Sequence, residues 1–256
     1  MSTRETNHIK ESERAIYNKG YGREDILPNR DLITLLFSQR DNWIKNRLNK
    51  LKNSNTSLLD VGCGFGGTSQ RLAKQGFSVT GIDISDNQVI TANKSAKELG
   101  FDIKYIIGDV ENSCFIDNSF DVISCSSILH HLPDLDNDLT QFKAILKNGG
   151  SIIVTEPCLL NPFAFIRRKF FPTSVHTPDE HPFIPGPFIK KFKQRFSHVE
   201  YKYFYILSLA APILEKIFGK KTGLFFLKLL APIDRVLTRI PVIREFSWIV
   251  NIHAYK

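Results

Sequence analysis

Three carboxylates, Asp60, Asp83 and Asp109, each close a short apolar run: SLLD, SVTGID and IKYIIGD. Helical stretches separate the runs: GTSQRLAKQG, and a segment to Gly100 that opens on a capping box, Ser85 with Gln88. Strands joined by helical crossovers run parallel, so successive strands end at one edge of the sheet. FDVISCSS and GSIIVTEP bring the strand candidates to five, with a helix expected near Leu139–Lys147 before the last. The fold class that follows is α/β, a doubly wound, mostly parallel sheet.

The glycine string Asp60-Val61-Gly62-Cys63-Gly64-Phe65-Gly66-Gly67 stands at the end of the first run. Glycines there let the backbone turn tightly and approach a ligand, in the crevice where open α/β sheets bind ligands. Because Gly67 also completes GxGxxG, this motif alone admits a dinucleotide site. No GK[ST] follows it, which excludes a nucleoside-triphosphate P-loop. Asp83 lies 21 residues after Gly62, where a carboxylate can accept from both hydroxyls of a ribose. Such charge-assisted bonds contribute roughly 1.5–3 kcal/mol each. Asp109 stands where an adenine amino group can be received. For each acid the alternative is a helix N-cap or a solvated loop.

Composition narrows the remainder. With 256 residues, the chain is long enough for one large domain with a real core. Its four cysteines, Cys63, Cys114, Cys125 and Cys158, show no metal or disulfide spacing, which points to a reduced, cytoplasmic setting. The first residues are polar, without the apolar core of a secretory signal. Residues 1–30 read as a flexible lead-in or lid, and residues 31–51 as a helix. Charge divides unevenly, with a net of −2 over residues 1–156 and +10 over residues 157–256. The basic part is also rich in aromatic and aliphatic residues, which suits an anionic membrane surface better than nucleic acid. No apolar run reaches the roughly 18–20 residues that span a bilayer.

Five ordered blocks, LLDVGCGFGG (58–67), VTGIDIS (79–85), GDVEN (108–112), SFDVISCSSILHHLPD (119–134) and LKNGGSIIVTEP (146–157), resemble the class I S-adenosylmethionine-dependent methyltransferases, especially the small-molecule group. The resemblance implies that family's seven-stranded, Rossmann-like sheet and S-adenosyl-L-methionine as cofactor. It implies that Asp60, Gly62, Cys63, Gly64 and Gly66 hold the methionine part, and that Asp83 holds the ribose with Ile84 packed on adenine. Asp109 and Val110 would contact adenine, and Cys125 and Ser126 the methionine end. A nicotinamide site would explain neither Asp60 nor the Gly108-Asp109 and LHHLPD segments.

The division expected is a lid and helix (1–56), a cofactor-binding core (57–157), and the rest of the sheet with two apolar, basic insertions (158–186 and 207–245) in the same domain. The insertions are expected to cap the cofactor edge and roof an acceptor pocket. His131, and after it His130, are the candidate general bases beside the methyl group, with His176 and His181 further candidates. Neither His pair has zinc-site spacing. The expected reaction is O-methylation of a hydrophobic small molecule or lipid-like acceptor. The alternatives are C- or N-methylation of a quinone, polyketide or glycolipid precursor, and a non-catalytic protein keeping the cofactor fold. An anionic membrane surface and a homodimer face are the other expected partners.

Overall fold

The computed structural model describes residues 3–18, 30–53, 55–112, 115–170 and 182–256. Its centre is a seven-stranded sheet of order β3-β2-β1-β4-β5-β7-β6. The strands are β1 (Ser57–Val61), β2 (Ser78–Asp83), β3 (Lys104–Ile107), β4 (Phe120–Ser126), β5 (Leu146–Pro157), β6 (His198–Phe204) and β7 (Ile249–Tyr255). The first five run parallel, and β7 lies antiparallel between β5 and β6. The chain therefore reverses at the cofactor edge after both β5 and β6.

Helices cover both faces. α2 (Arg30–Leu51), α3 (Gly67–Lys74) and α4 (Asp86–Glu98) share a core with β1 and β2 through Leu48, Leu72, Ala96, Leu58 and Val79. On the other face α5 (Leu135–Ile145) and α7 (Pro185–Arg195) bury Phe142, Phe188 and Phe192 against β4, β5 and β7. Half of the capping box forms: the Ser85 hydroxyl accepts from the Gln88 amide, while the Ser85 amide donates to Asp83 instead of the Gln88 side chain. α5 starts four residues before its expected beginning, because Asp134 caps it by accepting from the Asn137 amide. β5 likewise starts at Leu146, ahead of its apolar run, with a register shift against β4.

One expectation changes. Residues 3–18 form a helix, α1 (Thr3–Asn18), rather than a flexible lead-in. The two insertions, holding α6 (Pro162–Phe170) and the pair α8 (Ala210–Phe218) and α9 (Lys220–Leu237), start at the cofactor edge as the topology requires. Among the described residues, Lys10 and Glu13 of α1 line the cofactor crevice, and α9 packs on α2 beside β6, through Leu227, Leu32 and Leu36. The reason is that α2 offers a row of apolar side chains that β6 and β7 leave uncovered.

Buried polar groups tie the insertions to the sheet. The Asn161 amide nitrogen donates to the carbonyls of Tyr205, Ile206 and Phe246 at 3.1, 3.1 and 2.9 Å. Its oxygen caps α6 by accepting from the amides of Phe163 and Ala164. Asn161→Ala orphans these backbone groups, for a loss of about 2–4 kcal/mol. Urea unfolding of the whole chain measures it, and a loss under about 0.5 kcal/mol would mean that water replaces the side chain.

Candidate functional site

At the carboxyl ends of β1, β2 and β3 a small cavity of about 50 Å3 is bordered by Gly62, Asp83, Ile84, Asp109, Val110 and His131. Six of the residues chosen from the sequence thus meet in one place. Backbone geometry shapes the crevice. Gly62, Gly64 and Gly66 have φ of 66, 52 and 81°, a region that costs other residues strain. At Gly62 there is also no room for a side chain, because a Cβ would lie 2.6 Å from the Ile128 Cγ1.

Asp83 is held by its own loop. One oxygen accepts from the Gly64 amide at 2.8 Å and the other from the Ser85 amide at 2.9 Å. Burial pushes its carboxyl up, while the Ser85, Gly64 and Ile84 amides pull it back. Each oxygen keeps a second lone pair, the valence a ribose hydroxyl would use. An aliphatic side chain (Ile84) and a strand-end acid (Asp109) beside it complete a nucleoside-type lining, so the residues present fit the cofactor that the resemblance implies.

The lid residues were not visible in the sequence. Lys10 of α1 donates to Asp109 at 2.6 Å and also pairs with Glu111. Arg14 bonds both oxygens of Asp86, and Asn18 accepts from the Ser85 hydroxyl. Lys10 and Glu13 of α1 form one wall of this cavity, so α1 lies against the place where the cofactor would bind. The available signal was faint: Lys10, Glu13 and Tyr17 recur at helical spacing along one face.

The two histidines diverge. His130 is buried, and its Nδ1 lies 2.6 Å from Glu156 at the end of β5. It does not border the cavity. His131 does border it, with Nδ1 2.6 Å from the Glu13 carboxylate and Nε2 3.3 Å from the Tyr17 hydroxyl. His176 and His181 lie outside the described residues. Cys125 and Ser126 face a second cavity of about 220 Å3 between the ends of β4 and β5, α2 and α3. The Cys125 thiol is pushed well up, first by burial and then by Glu156. Cys63 is buried too, its thiol raised chiefly by burial. Gly64 and Gly66 shape the turn without bordering the first cavity.

Asp60 borders neither cavity. It is fully buried and accepts from the Ser69 hydroxyl at 2.6 Å, tying β1 to the first turn of α3. Burial pushes its carboxyl up to about 6, opposed by hydrogen bonds from Ser69 and Ser124. A carboxyl raised in the folded state is costly once ionised, so this group lowers stability as pH rises from about 4, its unfolded value, through 6. Asp60→Asn removes the titration. Its melting temperature should gain on that of the wild type as pH climbs from about 4 to about 6 and then hold its lead; a pH-independent difference would mean that Asp60 does not ionise in this window.

Comparison with known proteins agrees with this geometry. Residues 59–154 match the family described as the methyltransferase domain. The ubiquinone biosynthesis O-methyltransferase of Coxiella burnetii is 37% identical over 113 residues, 44% of this chain and 44% of that protein. The sterol 4-C-methyltransferase of Caenorhabditis elegans is 29% identical over 124 residues, 48% of this chain and 37% of that protein. The chain thus spans less than half the length of these two relatives. Among solved structures, the geranyl diphosphate C-methyltransferase of Streptomyces coelicolor A3(2), in complex with Mg2+, geranyl diphosphate and S-adenosyl-L-homocysteine, superposes with a TM-score of 0.63 at 15% identity, covering 96% of this chain and 97% of that one. The phospholethanolamine N-methyltransferase 2 of Haemonchus contortus gives 0.62 at 16% identity, covering 95% and 59%. At such identities the likeness is one of fold, the Rossmann-like methyltransferase sheet.

Proposed function

We propose that this chain is a class I S-adenosylmethionine-dependent methyltransferase, a reading supported by the domain match over residues 59–154 and by the fold, and that it methylates a hydroxyl of a hydrophobic small molecule, with His131 as general base. The observation that carries this reading is the run Glu13–His131–Tyr17 at the mouth of the Asp83 cavity. An ionised carboxylate only accepts hydrogen bonds, so Glu13 fixes the proton on Nδ1 and leaves Nε2 its lone pair, directed at the Tyr17 hydroxyl. An acceptor hydroxyl that replaces Tyr17, or is relayed by it, can pass its proton to Nε2, and Glu13 then stabilises the imidazolium.

When bound, S-adenosylmethionine supplies an electrophilic methyl group. The chain's own residues do the rest. Asp83 receives ribose hydroxyls, Ile84 and Val110 pack on adenine, and Asp109 exchanges Lys10 for the adenine amino group. Asp60, through Ser69, keeps α3 tight under the glycine turn. Cys125 and Ser126 border the space between the methionine end and α2. α1, once closed, excludes water from the reacting centre.

Two observations support a lipophilic acceptor. The relative from Coxiella burnetii is named for an O-methyl transfer in ubiquinone biosynthesis. The two insertions carry fourteen of the twenty large hydrophobic side chains exposed among the described residues. A screen with labelled cofactor over prenylated phenols, quinols, aliphatic alcohols and amines tests the class. Label in phenols or quinols, and none in amines, is the outcome expected.

His131→Ala should lower kcat by about 10²–10⁴-fold while leaving affinity for S-adenosyl-L-homocysteine within about threefold. Glu13→Gln should lower kcat less and move the acidic limb of the kcat–pH profile. A kcat unchanged by His131→Ala would make this histidine a purely structural partner of α1.

Asp83→Ala should weaken S-adenosyl-L-homocysteine binding about 100-fold by calorimetry, the equivalent of about 3 kcal/mol. Unchanged affinity would leave Asp83 as a loop acid that only orders Gly64 and Ser85.

A further inference from the structure

A groove of about 740 Å3 lies on the far side of the sheet's edge, between α2, β6 and α9. Six cationic side chains line it, Arg47, Lys202, Lys228, Arg235, Arg239 and Arg244, against the single carboxylate of Asp234. Asp234 is already committed: it accepts from the amides of Ile206, Leu207 and Ser208 at 3.1, 2.8 and 3.0 Å and from the Ser208 hydroxyl. Arg47 is paired with Glu200 at 2.5 Å, and Arg244 lies 3.8 Å from Glu245. Among the described residues, Lys202, Lys228, Arg235 and Arg239 make no ion pair. The crowding registers on Lys202, whose pKa is lowered first by burial and then by Arg239, Arg47 and Arg235. A concave surface that gathers like charges without countercharge is shaped for an anion.

The helix that forms one wall has a second peculiarity. Gly223, Leu227 and Asp234 are buried against α8, α2 and the turn after β6. On the opposite side, Phe225, Leu229, Ile233 and Val236 follow the helical repeat and are 62, 49, 40 and 60% exposed. Ile217 and Phe218 before the helix, and Ile240 and Val242 after it, extend this apolar stripe. Lys221, Lys228 and Arg235 recur every seven residues, which places them in one strip between the stripe and the groove. The helix has 18 residues, and no described helix is long and apolar enough to cross a membrane. A helix with an outward apolar stripe flanked by a basic strip lies in a membrane interface.

We propose that α9 docks this protein on anionic phospholipid bilayers, with the Phe225–Leu229–Ile233–Val236 stripe in the acyl layer and a lipid phosphate seated among Lys202, Lys228, Arg235 and Arg239. The charge complementarity selects the occupant: a second copy of this chain would bring another net-positive segment against the same cations. The docking does not depend on the transfer chemistry, so it stands or falls separately from the choice of acceptor. It places the sheet edge from which both insertions leave near the membrane surface.

Co-sedimentation of the full chain with vesicles of phosphatidylglycerol and phosphatidylcholine, against phosphatidylcholine alone, tests the docking. Binding at least tenfold stronger to the anionic vesicles is expected at 0.1 M salt (roughly one Debye length of 10 Å). The combined variant Lys202→Glu, Lys228→Glu, Arg239→Glu should lower that binding more than tenfold. Phe225→Ser with Leu229→Ser should lower it too, and leave a residue of binding that salt abolishes. Calorimetry with S-adenosyl-L-homocysteine shows that each variant keeps its fold. Three results would overturn the proposal: no sedimentation with anionic vesicles, binding indifferent to charge reversal, or a dimer in sedimentation equilibrium that Phe225→Ser dissociates. Stabilisation by inorganic phosphate or glycerol phosphate without vesicle binding would reassign the groove to a soluble phosphate ester and equally overturn the membrane docking.

Discussion

One buried carboxylate organises the reacting edge of the sheet. Glu156, at the end of β5, accepts from the amides of Ile128 and Leu129 on one oxygen and faces His130 Nδ1 with the other. A carboxylate taken out of water is tolerated only where donors surround it, and here three converge on one side chain. The turn after β4 is therefore fixed, including Ser127 at a φ of 55°. Two consequences reach the cofactor crevice. Ile128 is pressed so close to the glycine turn that Gly62 has no space for a side chain. The next ring, His131, is delivered outward to Glu13 and Tyr17 while His130 is kept inward. The difference between the two neighbouring histidines is thus set on another strand.

That is also why the histidines could be named from the sequence but not told apart. Their carboxylate partners lie 26 and 118 positions away in the chain. The strands, by contrast, are written locally: a parallel strand buried on both faces is a continuous apolar run, and the Asp or Gly that ends it marks the edge. Asp83 and Asp109 were legible for this reason, as was the N-cap at Ser85. α5 began early because its cap, Asp134, follows a proline inside what reads as a loop. α1 is poor in apolar residues, and among its described side chains Lys10, Glu13, Arg14 and Asn18 bond it to the sheet edge. A helix fastened by ionic contacts is nearly invisible to periodicity, and it is also the kind of element that can lift without exposing a core.

The same edge shows a trade between closeness and mobility. Asp60 and Asp83 begin as equivalent strand-end acids, yet Asp60 is spent inward on Ser69 and Asp83 faces the cavity. The burial that raises both carboxyls is compensated differently. Backbone amides steady Asp83 in a fixed direction, whereas Asp60 has side-chain hydroxyls around it. Amide donors are anchored in the turn and cannot rotate away, so the acid that borders the cavity is the one held by the more rigid donors.

Polar anchoring explains the unusual surface of the insertions as well. α6 is fixed through Asn161 and the last turn of α9 through Asp234, while Glu245 accepts from the Gly186 amide and the Tyr203 hydroxyl. Because these buried hydrogen bonds position the segments, their apolar residues are not all needed to hold them down. α8 and α9 need only one narrow seam, where Gly223 lets the helices approach so closely that a Cβ would meet the Glu215 Cβ at 2.5 Å. Pro232 falls on the outward side of α9, where the missing N–H interrupts no contact with α2. Leu227 fills the seam, and Phe225, Leu229 and Val236 are left facing outward. A core that wanted those side chains could have taken them by rotating α9 about its axis, but that rotation would pull Asp234 from the three amides that only it satisfies. The hydrogen bonds of one aspartate thus set which face of the helix the protein shows to its surroundings.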